Sequence, residues 1–326
     1  MDDPVVSRDV VRAGSGRRVL FAITSPYGIS RSVLHKAVQL AAALDAELAL
    51  FYRAYDSEVI HPHRQGPHHH PAEDIRTYVE QRQQQLSAFS EELRATGLST
   101  SAHVAWDSRS DAGILREVSR RRPDFLVIEA FPKTPADGVL SNQTHHKLIE
   151  ACPCPLLLVR SACPYRSSPR IVAAVDPMHA HAKSSALDDE IVTVASEVAD
   201  ALAGELHLFH ARVPWASASH QLRGPQWVPD VAKDESQVDY EHRVKSQVAE
   251  LAHRYNLADL RTHLVDGDVR DCLPAFSRTE AVDMVAMGVL SRSAFERALL
   301  GDTALRLLHA LDCDVLIVKP PGYPSA

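Results

Sequence analysis

The sequence predicts an α/β protein made of two tandem doubly wound domains, each a five-stranded parallel sheet in the order 3-2-1-4-5 with helices on both faces. Two observations carry that expectation. First, the chain repeats itself: Pro123-Asp124-Phe125-Leu126-Val127-Ile128 returns as Ala281-Val282-Asp283-Met284-Val285-Ala286, and Cys154–Arg160 returns as Cys313–Lys319. Asp124 and Asp283 stand 159 residues apart, as do Cys154 and Cys313. So long a period marks a duplicated domain, because solenoid units run only about 20–50 residues. Second, each copy alternates short apolar runs with amphipathic stretches. Near-continuous apolar strands are buried on both faces, and alternation with helices implies right-handed crossovers and a parallel sheet.

In the first copy, Val19–Thr24 reads as a strand and Ser32–Leu44 as a helix, with apolar residues at Val33, Ala37, Leu40, Ala41 and Leu44. Glu47–Tyr52 is the next strand. A His- and Pro-rich loop, Ser57–Ala72, leads to a polar helix over Glu73–Thr96 that Gly97 closes. Strand Ser99–Ala105, helix Asp111–Arg121, strand Phe125–Glu129, helix Asn142–Ala151 and strand Pro155–Arg160 complete the copy. The second copy repeats this order, with strands near Ile171–Asp176, Glu205–Ala211, Leu260–Val265, Met284–Met287 and Val315–Val318. Its helices fall near Leu187–Ala203, Gln237–Tyr255, Val269–Thr279 and Thr303–Leu311. Pro164, Ser167, Ser168 and Pro169 mark Ser161–Pro169 as the linker, giving domains 1–163 and 168–326. The tail Pro320–Ala326 is expected to fray.

Composition narrows the function classes. A net charge of −7 disfavours a nucleic-acid surface. The one dense basic run, Arg120-Arg121-Arg122, closes a helix, where cations suit the dipole. No run of eighteen apolar residues and no basic-then-apolar leader argues for membrane insertion or secretion. The five cysteines lack metal-type spacing, and Cys152-Pro153-Cys154 is not the two-residue spacing of thiol redox or zinc sites. They read as reduced, mostly buried thiols of a cytoplasmic protein.

After its fourth strand the second copy reads Met287-Gly288-Val289-Leu290-Ser291-Arg292, then continues to Leu300-Gly301-Asp302-Thr303. This stretch, with the two closing strands and the repeat, resembles the universal stress protein family, over about residues 17–320. Nucleotide-binding members carry Gly, two residues, Gly, nine residues, then Gly and Ser or Thr at this place. Glycines let backbone N–H groups approach phosphates, and the following helix N-terminus favours negative charge. Here Gly288 and Gly301 stand at the family spacing and Ser291 replaces the middle glycine. Asp302 replaces the phosphate-donating Ser or Thr and reads as an N-cap before Thr303. The first copy departs further: Glu129, Pro132 and Asn142 stand where the second has Gly288, Ser291 and Gly301, and Pro132 has no N–H. Family members that bind ATP hold the base with an aspartate after the first strand. Asp176 has that place in the second copy and Thr24 in the first.

The candidate ligand-binding residues are therefore Asp176, Gly288, Ser291, Arg292, Gly301 and Thr303. Arg292 is placed to neutralise an anionic group. Eighteen histidines are unevenly spread. Asp176, His179, His181 and His210 gather near the same switch point and form a candidate zinc site, with Asp188 as a further carboxylate. The same histidines also read as exposed loop residues. His61, His63 and His68-His69-His70 have no framework, and His145-His146 reads as surface.

The resemblance implies a cytoplasmic stress-response protein that senses or buffers a small ligand, with ATP or another compound in the second copy and protein clients the residues do not identify. The alternative is a metal-dependent hydrolase, or an ATP-binding or ATP-hydrolysing member, using the second copy. No nucleophile motif or spaced pair of carboxylates supports catalysis. Single-domain relatives dimerise through the last strand, so Pro155–Arg160 and Asp314–Lys319 are expected to pair antiparallel across a pseudo-twofold axis and hide two sheet edges. Whether the resulting pseudo-dimer pairs again as a homodimer is left open.

Overall fold

The computed structural model describes residues 16–24, 29–60, 71–130, 139–178, 182–212, 214–215, 236–288 and 302–323. The first half runs β1 (Arg18–Ile23), α1 (Arg31–Ala43), β2 (Glu47–Ala54), α2 (Ser57–Ile60), α3 (Pro71–Arg94), β3 (Thr100–Trp106), α4 (Ser110–Arg121), β4 (Phe125–Glu129), α5 (Val139–Ala151) and β5 (Leu156–Val159). The second runs β6 (Arg170–Ala174), α6 (Ala182–Ala201), β7 (Glu205–Arg212), α7 (Gln237–Arg254), a 3-10 turn at Asp259–Arg261, β8 (Thr262–Asp266), α8 (Val269–Thr279), β9 (Met284–Gly288), α9 (Asp302–Ala310) and β10 (Asp314–Val318).

All ten strands join one sheet in the order β3-β2-β1-β4-β5-β10-β9-β6-β7-β8, so each half has the order 3-2-1-4-5. Pairing within each half is parallel. At the seam β10 and β5 pair antiparallel, with Val315 opposite Leu158, Leu316 opposite Leu157 and Ile317 opposite Leu156. The expected seam is thus the observed one, and it removes an open edge from each half. One sheet face packs on α1, α3, α6 and α7, the other on α4, α5, α8 and α9. Both cores draw side chains from both halves without a break.

The repeated residues hold the backbone in repeated ways. The Asp124 carboxylate accepts from the Arg18 N–H at 2.7 Å, and Asp283 accepts from the Arg170 N–H at 2.7 Å. Each of these arginines then donates from Nη1 to a carbonyl at the end of the preceding helix, Arg121 for Arg18 and Glu280 for Arg170, at 2.6 Å. Helix stops recur too: Asp45, Arg122, Ala203 and Ala281 all have φ near +50°, the left-handed turn that ends a helix. Arg120 and Arg121 both bind Glu117, so the basic run is a local structural device.

Across the seam the devices are reciprocal or single. Arg160 donates from Nη2 to the Leu308 carbonyl near the C-terminus of α9. Its repeat partner Lys319 donates from Nζ to the Glu150 and Cys152 carbonyls at the end of α5, at 2.7 Å each. Each half therefore caps the last helix of the other with a cation at the helix C-terminus, where positive charge is favoured. Asp314, 0% exposed, binds the Lys36 ammonium at 2.6 Å and the Tyr165 hydroxyl at 2.8 Å. It also accepts from the Arg160 and Ser161 N–H groups, at 2.9 and 3.0 Å.

Three sequence expectations need correction. Leu260 lies in the 3-10 turn, 90% exposed, and the strand begins at Thr262. His145 is 3% exposed, with Nε2 2.7 Å from the Glu129 carbonyl, so it belongs to the interior. The C-terminal tail is anchored as far as Tyr323, whose hydroxyl donates to the Glu150 carbonyl at 3.0 Å and whose ring packs on the Lys319 ammonium.

Asp314→Ala strands the Lys36 ammonium in the interior and is expected to cost about 3–5 kcal/mol in urea unfolding. Lys36→Met is expected to cost less, because Asp314 keeps the Tyr165 hydroxyl and two backbone donors. Equal losses from the two variants would contradict this division of labour.

Candidate functional site

In a doubly wound sheet, ligands bind beyond the carboxyl ends of the strands where the order reverses. In the second half that place lies between β6 and β9, whose register pairs Ala174 with Met287. The ends of these strands put Gly288 and Asp176 on adjoining rims. The Asp176 side chain is 43% exposed, and its backbone N–H donates to the carboxylate of the buried Asp188 on α6 at 3.1 Å. His210, near the end of β7, is buried, with Nδ1 3.0 Å from the Val175 carbonyl and 3.9 Å from Asp176 Oδ1. A carbonyl partner requires the proton on Nδ1, which turns the basic Nε2 away to accept a hydrogen bond or bind a metal.

The structure thus gathers Asp176, Asp188, His210 and Gly288 at one rim. Thr303 lies in the first turn of α9, which begins at Asp302. His179, His181, Ser291, Arg292 and Gly301 lie outside the described residues, as do His61, His63 and His68–His70. Among the described residues, no group of three or more His, Cys, Asp or Glu could hold a metal ion. Gly288 also has a packing reason to be glycine: a Cβ there would stand 2.7 Å from Leu187 Cδ2 of α6.

The first half carries different residues at the corresponding positions. His145 of α5 occupies the carbonyl of Glu129, whereas its repeat counterpart in α9 is the small Ala304. Where the second half has His210, the first has Tyr52, part of a layer of rings and guanidinium groups over the ends of β2 and β3. Trp106 packs against Tyr55 and Tyr78, at 5.6 and 6.0 Å between ring centres. Arg82 lies over Tyr78 and Tyr52, and Arg53 over Tyr55. Sequence reading missed this layer, because its members are spread over residues 52–106 and converge only through β2, α3 and β3.

A cavity of about 230 Å³ lies away from this rim, between the linker and the beginnings of β9 and β10, lined in part by Lys36, Ser161, Asp283 and Asp312. Its charges satisfy one another: Asp283 holds Arg166 and the Arg170 N–H, and Arg278 faces Asp312 at 3.7 Å. It lies at the joint between the halves.

A model of the universal stress protein family matches residues 16–160 and again 168–319. "Universal stress protein E" of Photorhabdus laumondii subsp. laumondii is 24% identical over 233 residues, covering 70% of this chain and 71% of that protein. The protein of that name from Escherichia coli K12 is also 24% identical, with the same coverage. Among solved structures, a functionally unknown protein from Pseudomonas aeruginosa PAO1 superposes with a TM-score of 0.71 at 22% identity, covering 93% of this chain and 92% of its own. A universal stress protein from Archaeoglobus fulgidus superposes with a TM-score of 0.62 at 13% identity, covering 94% and 99%. At these identities the structures speak to the fold.

Two predictions follow from the rim and the sheet beneath it. Gly288→Ala is expected to cost about 1–3 kcal/mol through overpacking against Leu187; an unchanged urea midpoint would show the position roomy. The second concerns His207 and His263, whose rings stack with Nδ1 and Nε2 2.9 Å apart against Phe276. Burial holds both imidazoles below the ordinary histidine value, as it does His103 and His146. Below about pH 6.5 the unfolded chain then binds more protons than the folded one, so stability falls as pH drops through that value. Urea midpoints between pH 7 and 5 should fall, and His207→Leu should flatten the slope.

Proposed function

The chain belongs to the universal stress protein family, and from that premise we propose that it is a small-ligand-binding stress-response protein without catalytic activity. Its ligand seat lies in domain 168–326, on Asp176, Gly288, Ser291, Arg292, Gly301 and Thr303, and domain 1–163 is the scaffold. The observation that carries this reading is the contrast between the two rims. Among the described residues the second presents a half-exposed carboxylate beside His210 and a glycine, while the first has His145 on the Glu129 carbonyl and the Tyr52–Trp106 layer beside it. ATP or another compound with a hydrogen-bonding ring and an anionic group suits the residue types of this seat, a carboxylate for the ring and Ser291 and Arg292 for the anion. Asp302 at the head of α9 weakens the seat for a triphosphate, because a carboxylate near a phosphate costs about 1 kcal/mol even when solvated.

We also assign the protein to the cytoplasm. Its cysteines are free thiols, as a reducing compartment keeps them. No helix among the described residues is long and apolar enough to cross a membrane.

A second reading, metal-assisted hydrolysis, rests on the approach of His210 to Asp176 and on the tautomer that leaves Nε2 as a potential ligand. The metal would be zinc, taking His179 and His181 as further ligands and lowering the pKa of a bound water. Stoichiometric zinc in purified protein, with hydrolysis lost on chelation, would favour it.

Native mass spectrometry of gently purified protein, followed by calorimetric titration with ATP as probe, tests the first reading. At most one ligand per chain is expected, with binding lost in Asp176→Ala and kept in Thr24→Ala. Two ligands per chain, or binding indifferent to Asp176→Ala, would overturn the asymmetry of the two domains.

A further inference from the structure

The end of α5 carries a second chemistry, far from the rim. Cys152 is 1% exposed and Cys154 half-buried, and their sulfur atoms lie 3.5 Å apart with Pro153 between them in sequence. The Cys152 thiol also donates to the Cys154 carbonyl at 3.4 Å. The Lys319 ammonium is fixed above them by the Glu150 and Cys152 carbonyls and by the face of Tyr323, 4.4 Å from the ring centre. Helix end, strand end and tail therefore meet on one thiol pair. The other half has no such pair: Leu311 stands where Cys152 does, and only Cys313 remains.

We propose that Cys152 and Cys154 form a two-thiolate seat for a soft monovalent cation, Cu(I), with Lys319 as its counter-charge. Soft thiolate ligands select Cu(I), and two of them suffice for a linear site where zinc would require four ligands. The sulfurs already face each other, so binding needs only a small rotation of the half-buried Cys154. Two S–H bonds break, two Cu–S bonds form and two protons leave to solvent; no electron is transferred. The bis-thiolate Cu(I) unit carries one negative charge, and the fixed ammonium of Lys319 balances it inside the protein. The fixed ammonium beside the thiol pair favours the loaded, anionic site over the empty one. Cys154 gives the cation its route in from solvent.

The test is anaerobic titration of the reduced full-length protein with Cu(I) against a chromophoric Cu(I) chelator, with X-ray absorption to identify the ligands. The expected result is one Cu(I) per chain held by two sulfur atoms, with that site lost in Cys152→Ser and in Cys154→Ser. Cys163→Ser and Cys272→Ser should leave it intact. Lys319→Met, with fold checked by thermal melting, should weaken the site by about 10- to 100-fold at unchanged stoichiometry, as loss of an outer partner does. This variant keeps both thiols, so it reports on the counter-charge even if a serine variant folds poorly. Copper bound equally well without Cys154, or a Cys152–Cys154 disulfide in the protein as purified from a reducing cytoplasm, would overturn the assignment. So would an affinity indifferent to Lys319→Met.

Discussion

The buried carboxylate of Asp314 is the contact on which the arrangement of the two halves depends. A carboxylate fully removed from water is tolerable only when its lone pairs are filled, and here four donors fill them. The donors come from three parts of the joint: Lys36 from α1 of the first half, Tyr165 from the linker, and the Arg160 and Ser161 N–H groups from just after β5. Burial and the adjacent Asp314 push the Tyr165 hydroxyl well above its ordinary pKa, so it remains a proton donor at any working pH. Gln39 clamps the same tyrosine by its backbone, receiving the Tyr165 N–H at 3.0 Å and donating to its carbonyl at 3.1 Å. The stretch between the copies therefore fixes the seam through one buried side chain, Tyr165, where its Pro and Ser content suggested only a linker.

Strands and their order were legible because a buried parallel strand needs an almost unbroken apolar run, and few other segments have one. The seam was legible because single-domain members of the family the chain resembles dimerise through the last strand, and the repeat places two such strands in one chain. What stayed hidden were the polar contacts across the seam, since nothing local marks a partner 278 residues away, as Lys36 is from Asp314. Leu260 misled for the opposite reason: an apolar residue extends an apolar run in sequence, but its side chain stands in water at the sheet edge. At the candidate site, Asp176 and Gly288 were singled out by the family resemblance together with their place after the first and fourth strands of the second copy. The Tyr52–Trp106 layer was not, because its rings come from three elements with no shared period.

The copies differ according to where each interaction closes. Asp124 and Asp283, Arg18 and Arg170, and the left-handed helix stops all close within their own half, so duplication carried them over and either half can keep them. Arg160 and Lys319 close across the seam yet remain equivalent, because a cation suits any helix C-terminus. Rim residues obey neither constraint. Each rim ties its own backbone with different residues, His210 and Asp188 in the second half and His145 in the first, so the two could diverge independently.

The Asp314 contact is the exception that fixes the polarity of the molecule. Its repeat position in the first half is Pro155, which offers neither carboxylate nor N–H. Two first halves paired through β5 would leave both Lys36 ammonium groups buried without a partner, at a cost of about 3–5 kcal/mol for each broken pair. The first half is thus matched to the second and not to itself. The chain behaves as a fused heterodimer, held in one orientation by a contact that only one half can donate and only the other can accept.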